Sequence, residues 1–123
     1  MADKAQVRQL KIKTGVLKRC IKDHNSYKTE EGKLQEKLAA WITEGKDEYD
    51  IKKLQEQVTE TAETLATCKP RIEAAIDDLE NVLATFEELP DGEPKTLLKE
   101  APEWSQAEAA IAEAKAFVDA IEL

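Results

Sequence analysis

Between Ile51 and Phe86 the apolar positions recur in alternating steps of three and four: Ile51, Leu54, Val58, Thr61, Leu65, Cys68, Ile72, Ala75, Leu79, Val82 and Phe86. The steps hold for five heptads, and Thr61 is the one polar rung. A narrow apolar seam of this period predicts a long helix lying against another helix. Ala62, Ile76 and Leu83 widen the seam by one position, and a wider face asks for a second neighbour. Two of these three lie late in the segment, so a third helix is expected to pack there.

Residues 4–44 repeat the pattern through Val7, Leu10, Thr14, Leu17, Ile21, His24, Tyr27, Glu31, Leu34, Leu38 and Trp41. His24 to Tyr27 is a short step, a local overwinding of the repeat. The pattern predicts one helix, with a break near Asn25–Ser26 as the weaker alternative. Gly45 suits the residue just past its end. Asp47 or Asp50 suits the cap of the next helix, because a carboxylate accepts from the first free amides. So short a loop makes the two helices antiparallel neighbours.

Pro70 interrupts the second helix, where proline removes a hydrogen bond and crowds the preceding turn. The seam keeps phase across it, so the expectation is one kinked helix over about 48–88, convex at Pro70. Pro90-Asp91-Gly92 is a turn signal with a mechanism, one residue fixing φ and the other accepting positive φ. A linker over 89–101 follows, with a helical turn or two within Lys95–Ala101. Pro102 fits a first helical position. The ladder Trp104, Ala107, Ile111, Ala114, Val118, Ile121 then predicts a helix over about 102–122. The fold class is all-α: one domain over 1–123, an elongated antiparallel three-helix bundle of two long helices and a shorter third.

Composition agrees with thin helices rather than strands, with 36% charged residues and 5% aromatic. The net charge of −8 argues against nucleic acid as a partner. The charge is also uneven. Residues 1–22 carry seven Lys or Arg and one acid, whereas residues 71–123 carry four against fourteen. The cationic start crowds Lys11, Lys13, Lys18, Arg19 and Lys22 among Leu10, Ile12, Val16, Leu17 and Ile21. Two readings stand: a face paired internally or solvated, and a docking surface for an acidic protein. A membrane surface is the poorest reading, because the acidic helices would repel anionic lipid. No apolar run is long enough for a transmembrane helix. The first residues lack the apolar stretch of a signal peptide, which reads as intracellular.

Catalytic chemistry finds little support. Cys20 and His24 make one pair of metal ligands where a structural zinc site needs four. The hairpin register offsets Cys20 from Cys68 by roughly 9 Å along the axis, too far for a disulfide. Asp77-Asp78 and Glu87-Glu88 are adjacent on a helix and point apart. No glycine-rich phosphate loop is present. The chain reads as a non-enzyme without cofactor or metal.

The stretches Val7–Asp23 (VRQLKIKTGVLKRCIKD), Tyr49–Lys53 (YDIKK) and Arg71–Leu83 (RIEAAIDDLENVL) closely resemble the tubulin-folding cofactor A family. The resemblance covers roughly residues 5–88 in order. It implies a three-helix fold and a cytosolic, cytoskeleton-associated chaperone. Such a protein captures β-tubulin released from the chaperonin and passes it on for αβ-heterodimer assembly, without ATP hydrolysis. Other tubulin-folding cofactors are further partners the resemblance allows. The signature positions fall on Lys11, Lys13, Thr14, Gly15, Lys18 and Arg19, and on Tyr49, Asp50, Lys52 and Lys53. With Lys22 from the cationic run, the partner-binding candidates are Lys11, Lys13, Lys18, Arg19, Lys22, Tyr49, Asp50, Lys52 and Lys53. A structural coiled-coil or spectrin-like bundle of cytoskeletal or trafficking assemblies is the alternative, weakened by the lack of tandem repeats. Monomer and homodimer both remain open, since such seams also self-associate.

Overall fold

The computed structural model of the chain describes residues 3–121. Among them it contains five helices and no strand: α1 (Lys4–Glu44), α2 (Glu48–Ala66), α3 (Cys68–Glu87), α4 (Glu93–Glu100) and α5 (Pro102–Ile121). Residue 122, the expected end of the last helix, lies outside the described residues.

The ends of α1 follow from local chemistry. Asp3 Oδ1 accepts from the backbone amides of Ala5 at 2.7 Å and Gln6 at 3.3 Å, which satisfies two of the first free donors. At the other end Gly45 takes φ 73. Its amide donates to the Ile42 carbonyl, and the Lys46 amide donates to the Trp41 carbonyl. That pair of bonds is a Schellman closure, and it needs a residue that tolerates left-handed backbone. No break occurs at Asn25–Ser26, because α1 is continuous through both.

The chain clusters into two compact units. One contains the chain up to Ile21 and the chain from Pro70 onward; the other is Lys22–Lys69. The first holds a continuous core. Leu10 and Leu17 of α1, Ile72, Ile76, Leu79, Val82 and Phe86 of α3, Leu98 of α4, and Trp104, Ala107, Ala110, Ile111, Ala114 and Val118 of α5 are all buried in it. Burying a leucine such as Leu17 or Leu79 stabilises the fold by roughly 1.5–3 kcal/mol relative to leaving it exposed. The alanines of α5 let its backbone come close to its neighbours. Ile76 is buried and Leu83 packs against this core, as a widened seam requires, whereas Ala62 is exposed. Ion pairs link the helices across the core's edge: Lys13–Asp78 at 2.7 Å and Lys115–Glu80 at 2.9 Å.

In the second unit α1 contributes His24, buried, and Tyr27, Leu34, Leu38 and Trp41, half-buried. Leu54 is buried in α2. Ile51, Val58, Thr61 and Leu65 are half-buried, so the α2 rungs face inward but are thinly covered. Asp47 stands at the N-cap of α2, yet its side chain makes no capping bond; its backbone carbonyl accepts from the Ile51 amide.

Two features differ from the sequence expectation. The single helix expected over 48–88 is interrupted for one residue, Thr67, which keeps helical backbone (φ −79, ψ −15), so the disruption falls three residues before Pro70 rather than at it. Proline acts one turn upstream: it withholds the amide that the Ala66 carbonyl would accept and crowds that carbonyl. Thr67 closes α2 in a tighter turn, its amide donating to the Thr64 carbonyl at 3.1 Å and its hydroxyl to the same oxygen at 2.6 Å. The Cys68 thiol donates there too, at 3.7 Å. Pro70 is then a first-turn residue of α3, where a missing amide costs nothing.

The segment 89–101, expected as a linker with a helical turn or two within Lys95–Ala101, holds a two-turn helix that begins two residues earlier. α4 fills eight of its residues, with Leu98 fully buried and α4 packed on α5. Lys95 fastens the segment to the end of α3. Its ammonium donates to the Glu87 carbonyl at 2.6 Å and pairs with Asp91 at 3.3 Å. Lys99 pairs with Glu87 at 2.8 Å. Two cations at a helix C-terminus complement its unpaired carbonyls.

Candidate partner-binding faces

The first candidate face belongs to the core-bearing unit. α1 turns its apolar residues inward at Leu10, Thr14 and Leu17, which leaves the residues between them outside. Lys11, Lys18 and Arg19 are exposed, as are Lys4 and Arg8. None of these five has an ion-pair partner among the described residues. Lys13 differs. It lies on the α3 side of the helix and is held by Asp78, with 35% of its side chain exposed. Lys13 is therefore a cross-link of the fold first. Ile12 and Val16 are 52% and 48% exposed beside the cations. Lys4, Val7, Arg8, Lys11, Ile12 and Gly15, with Glu103 of α5, line a shallow groove of about 750 Å³. A second groove, about 430 Å³, has the opposite character, with Glu73, Asp77, Glu80 and Asp119 around Ile76, Lys115 and Val118.

The second candidate face belongs to the other unit, which also takes Lys22, exposed on α1. Tyr49 is 64% exposed, next to exposed Asp50, Lys52 and Lys53. The Lys53 ammonium lies 5.5 Å from the Tyr49 ring centroid and pairs with Glu56 at 3.8 Å. Lys37 and Lys46 approach the Trp41 ring at 4.8 and 5.9 Å. Ammonium groups over such rings contribute about 0.5–1 kcal/mol each. Asp50, Lys53 and Leu54 line a cleft of about 120 Å³ with Lys37, Trp41 and Gln57. Ile42 nearby in the sequence is 55% exposed.

Sequence reasoning missed Lys4, Arg8 and the Lys37–Trp41 stack. The first two continue the three-four spacing of Lys11 and Lys18 backwards. The stack is a plain i, i+4 pair. Both signals were available in the spacing.

Among the described residues no group of three or more His, Cys, Asp or Glu is placed to hold a metal ion. Cys20 and Cys68 are both thiols rather than a disulfide. His24 is buried on the seam of α1. Among the described residues no helix is long and apolar enough to cross a membrane.

A helical surface that presents exposed cations and aromatics has the character of a protein-binding module. The particular module is given by comparison: residues 5–118 match the family described as Tubulin binding cofactor A, and the chain belongs to that family. Human Tubulin-specific chaperone A is 40% identical over 93 residues, covering 76% of this chain and 85% of that protein. Tubulin-folding cofactor A of Arabidopsis thaliana is 34% identical over 109 residues, covering 89% and 90%. The crystal structure of the Arabidopsis thaliana cofactor matches with a TM-score of 0.73 at 31% identity, covering 92% of this chain and 98% of that one. The human tubulin chaperone cofactor A structure matches at 0.66 and 34%, covering 89% and 98%.

Proposed function

We propose that this chain is a tubulin-folding chaperone that binds β-tubulin after its release from the chaperonin and passes it on for αβ-heterodimer assembly. The observation that carries the reading is membership of the family over residues 5–118, which spans both units. The physical surface agrees with it. Tubulin is acidic, and unpaired cations at Lys11, Lys18 and Arg19 would steer and orient an acidic partner. Exposed Ile12, Val16, Tyr49 and Ile42 supply apolar area for a client that has not finished folding. No step of this function needs bond making or a cofactor. Its setting is cytoplasmic, beside the cytoskeleton.

The architecture attached to this reading is the antiparallel three-helix bundle, with α2 and α3 counted as one arm. Small-angle scattering of the chain tests that arrangement, and a profile of two independently moving bodies would overturn it. The functional test is size-exclusion chromatography of the chain with and without free β-tubulin. A co-eluting complex is expected, and the free chain's elution volume reports monomer or dimer in the same run. Charge reversal at Lys11, Lys18 and Arg19 should reduce the complex while leaving the helical circular dichroism unchanged. If β-tubulin and the chain elute separately at micromolar concentrations, the reading fails.

A further inference from the structure

On the outer face of α1 the residues Lys4, Arg8, Lys11, Gly15 and Lys18 follow steps of four, three, four and three. Residues at these steps share one stripe of a helix, here about 21 Å long at 1.5 Å per residue. Four of the five are cations, all exposed and all without an ion-pair partner among the described residues. Arg19 and the apolar pair Ile12 and Val16 flank the stripe. The stripe is not explained by the helix. Lys4 stands in the first turn, where the amide dipoles disfavour a cation, and no acid occupies that turn. Gly15 is equally unexplained. It is mid-helix, its φ is not positive, and a Cβ built on it would meet nothing within 4 Å. Alanine would fit there and would make a better helix, so the gap at Gly15 is space left on the outside.

We infer that this stripe is a cradle for a linear acidic peptide segment, whose carboxylates pair with Lys4, Arg8, Lys11 and Lys18 and whose one apolar side chain seats over Gly15 against Ile12. The inference rests on the chaperone reading above and adds to it the chemistry of the segment recognised. The shallow groove of about 750 Å³ lined by Val7, Arg8, Lys11, Ile12 and Gly15 gives the segment a bed along the stripe. Glu103 is the single acid on that lining. A peptide is favoured over a nucleic acid or a lipid surface by the rest of the same unit. Residues 71–123 carry fourteen acids against four bases, so an extended polyanion wider than the stripe would be repelled. A single acidic strand confined to the stripe would not.

The probe is a labelled 18-residue polyglutamate peptide with one central leucine, titrated with the full chain and read by fluorescence anisotropy. Arg8→Glu with Lys18→Glu should weaken binding by at least about tenfold, the loss of two charge pairs. Lys28→Glu with Lys33→Glu changes net charge equally off the stripe and should leave the affinity within about twofold. Gly15→Glu fills the gap with a repelling group and should abolish the preference for the leucine peptide over its alanine counterpart. Arg8→Gln with Lys18→Gln, checked by circular dichroism, separates lost contacts from a misfolded variant. The inference is overturned if both reversal pairs weaken binding alike, if the leucine makes no difference to the wild type, or if an 18-mer oligothymidylate binds as tightly as the peptide. Retained capture of β-tubulin alongside a failed peptide titration would sink the cradle and leave the chaperone reading standing. Loss of β-tubulin capture with intact peptide binding would do the reverse.

Discussion

Thr14 and Gly15 are adjacent and have opposite problems. Thr14 is buried to 6% exposure, and its hydroxyl has no hydrogen-bond partner among the described residues. A buried polar atom left without a partner costs about 1–3 kcal/mol. Thr14→Val keeps the shape and removes the hydroxyl, so it should raise stability by about 1 kcal/mol. A higher denaturant midpoint at unchanged slope is the expected result, and a lower midpoint would mean that Thr14 has a partner in solution. Gly15 is exposed with open space around its Cβ position. Gly15→Ala should likewise stabilise by roughly 1 kcal/mol, by helix propensity alone. Both residues therefore give up stability beside the exposed cations Lys11 and Lys18. The candidate lysines show how much of this the sequence discloses. Their charge and crowding were legible from residues 1–22. That Lys13 is held by Asp78 while Lys11 and Lys18 have no such pair among the described residues was not, because the pairing depends on a residue 65 positions away.

The seams of α1 and α5 were legible because a heptad repeat is local and redundant. Each expected rung from Val7 to Trp41 and from Trp104 to Ile121 is at least half-buried. The division at Thr67 was missed for a reason of chemistry rather than of pattern. Proline disrupts the carbonyl four residues before it, while the apolar phase, carried by side chains, runs on undisturbed through Cys68 and Ile72. Pro70→Ala tests that account. If Pro70 causes the division, the new amide at residue 70 should bond to the Ala66 carbonyl and become protected from hydrogen exchange. If Thr67 closes the helix by itself, the amide stays unprotected and the variant loses about 0.5–1 kcal/mol through the freer unfolded chain. α4 was legible only as a helical turn or two within Lys95–Ala101, because eight residues are too few to fix a phase. Its weight is nonetheless structural, since Leu98 is fully buried beside the α5 core. Leu98→Ala should cost about 2–5 kcal/mol, the range for a cavity in a packed core. A cost below about 0.5 kcal/mol, measured by urea denaturation, would return the segment to the status of a linker.

Across the whole molecule, burial and binding chemistry are distributed differently. The unit that contains α5 has a core of fourteen buried residues, whereas α2 buries Leu54 alone. Regions with few buried contacts open at lower free energy than the global unfolding. Amides of α3 and α5 should therefore exchange only through global unfolding, and amides of α2 through smaller openings. Candidate binding residues lie in both units, which gives hydrogen exchange a second use. A client docked along Lys11, Lys18 and Arg19 meets a helix already fixed by Leu10 and Leu17, so it has little protection to add there. A client docked on Tyr49, Asp50, Lys52 and Lys53 meets the thinly covered α2 and must slow its exchange. The expected outcome with β-tubulin bound is a small change along residues 8–19 and unaltered exchange in α2. Strong new protection over residues 49–60 would instead assign the capture to the surface around Tyr49, where Lys53 lies 5.5 Å from the ring centroid.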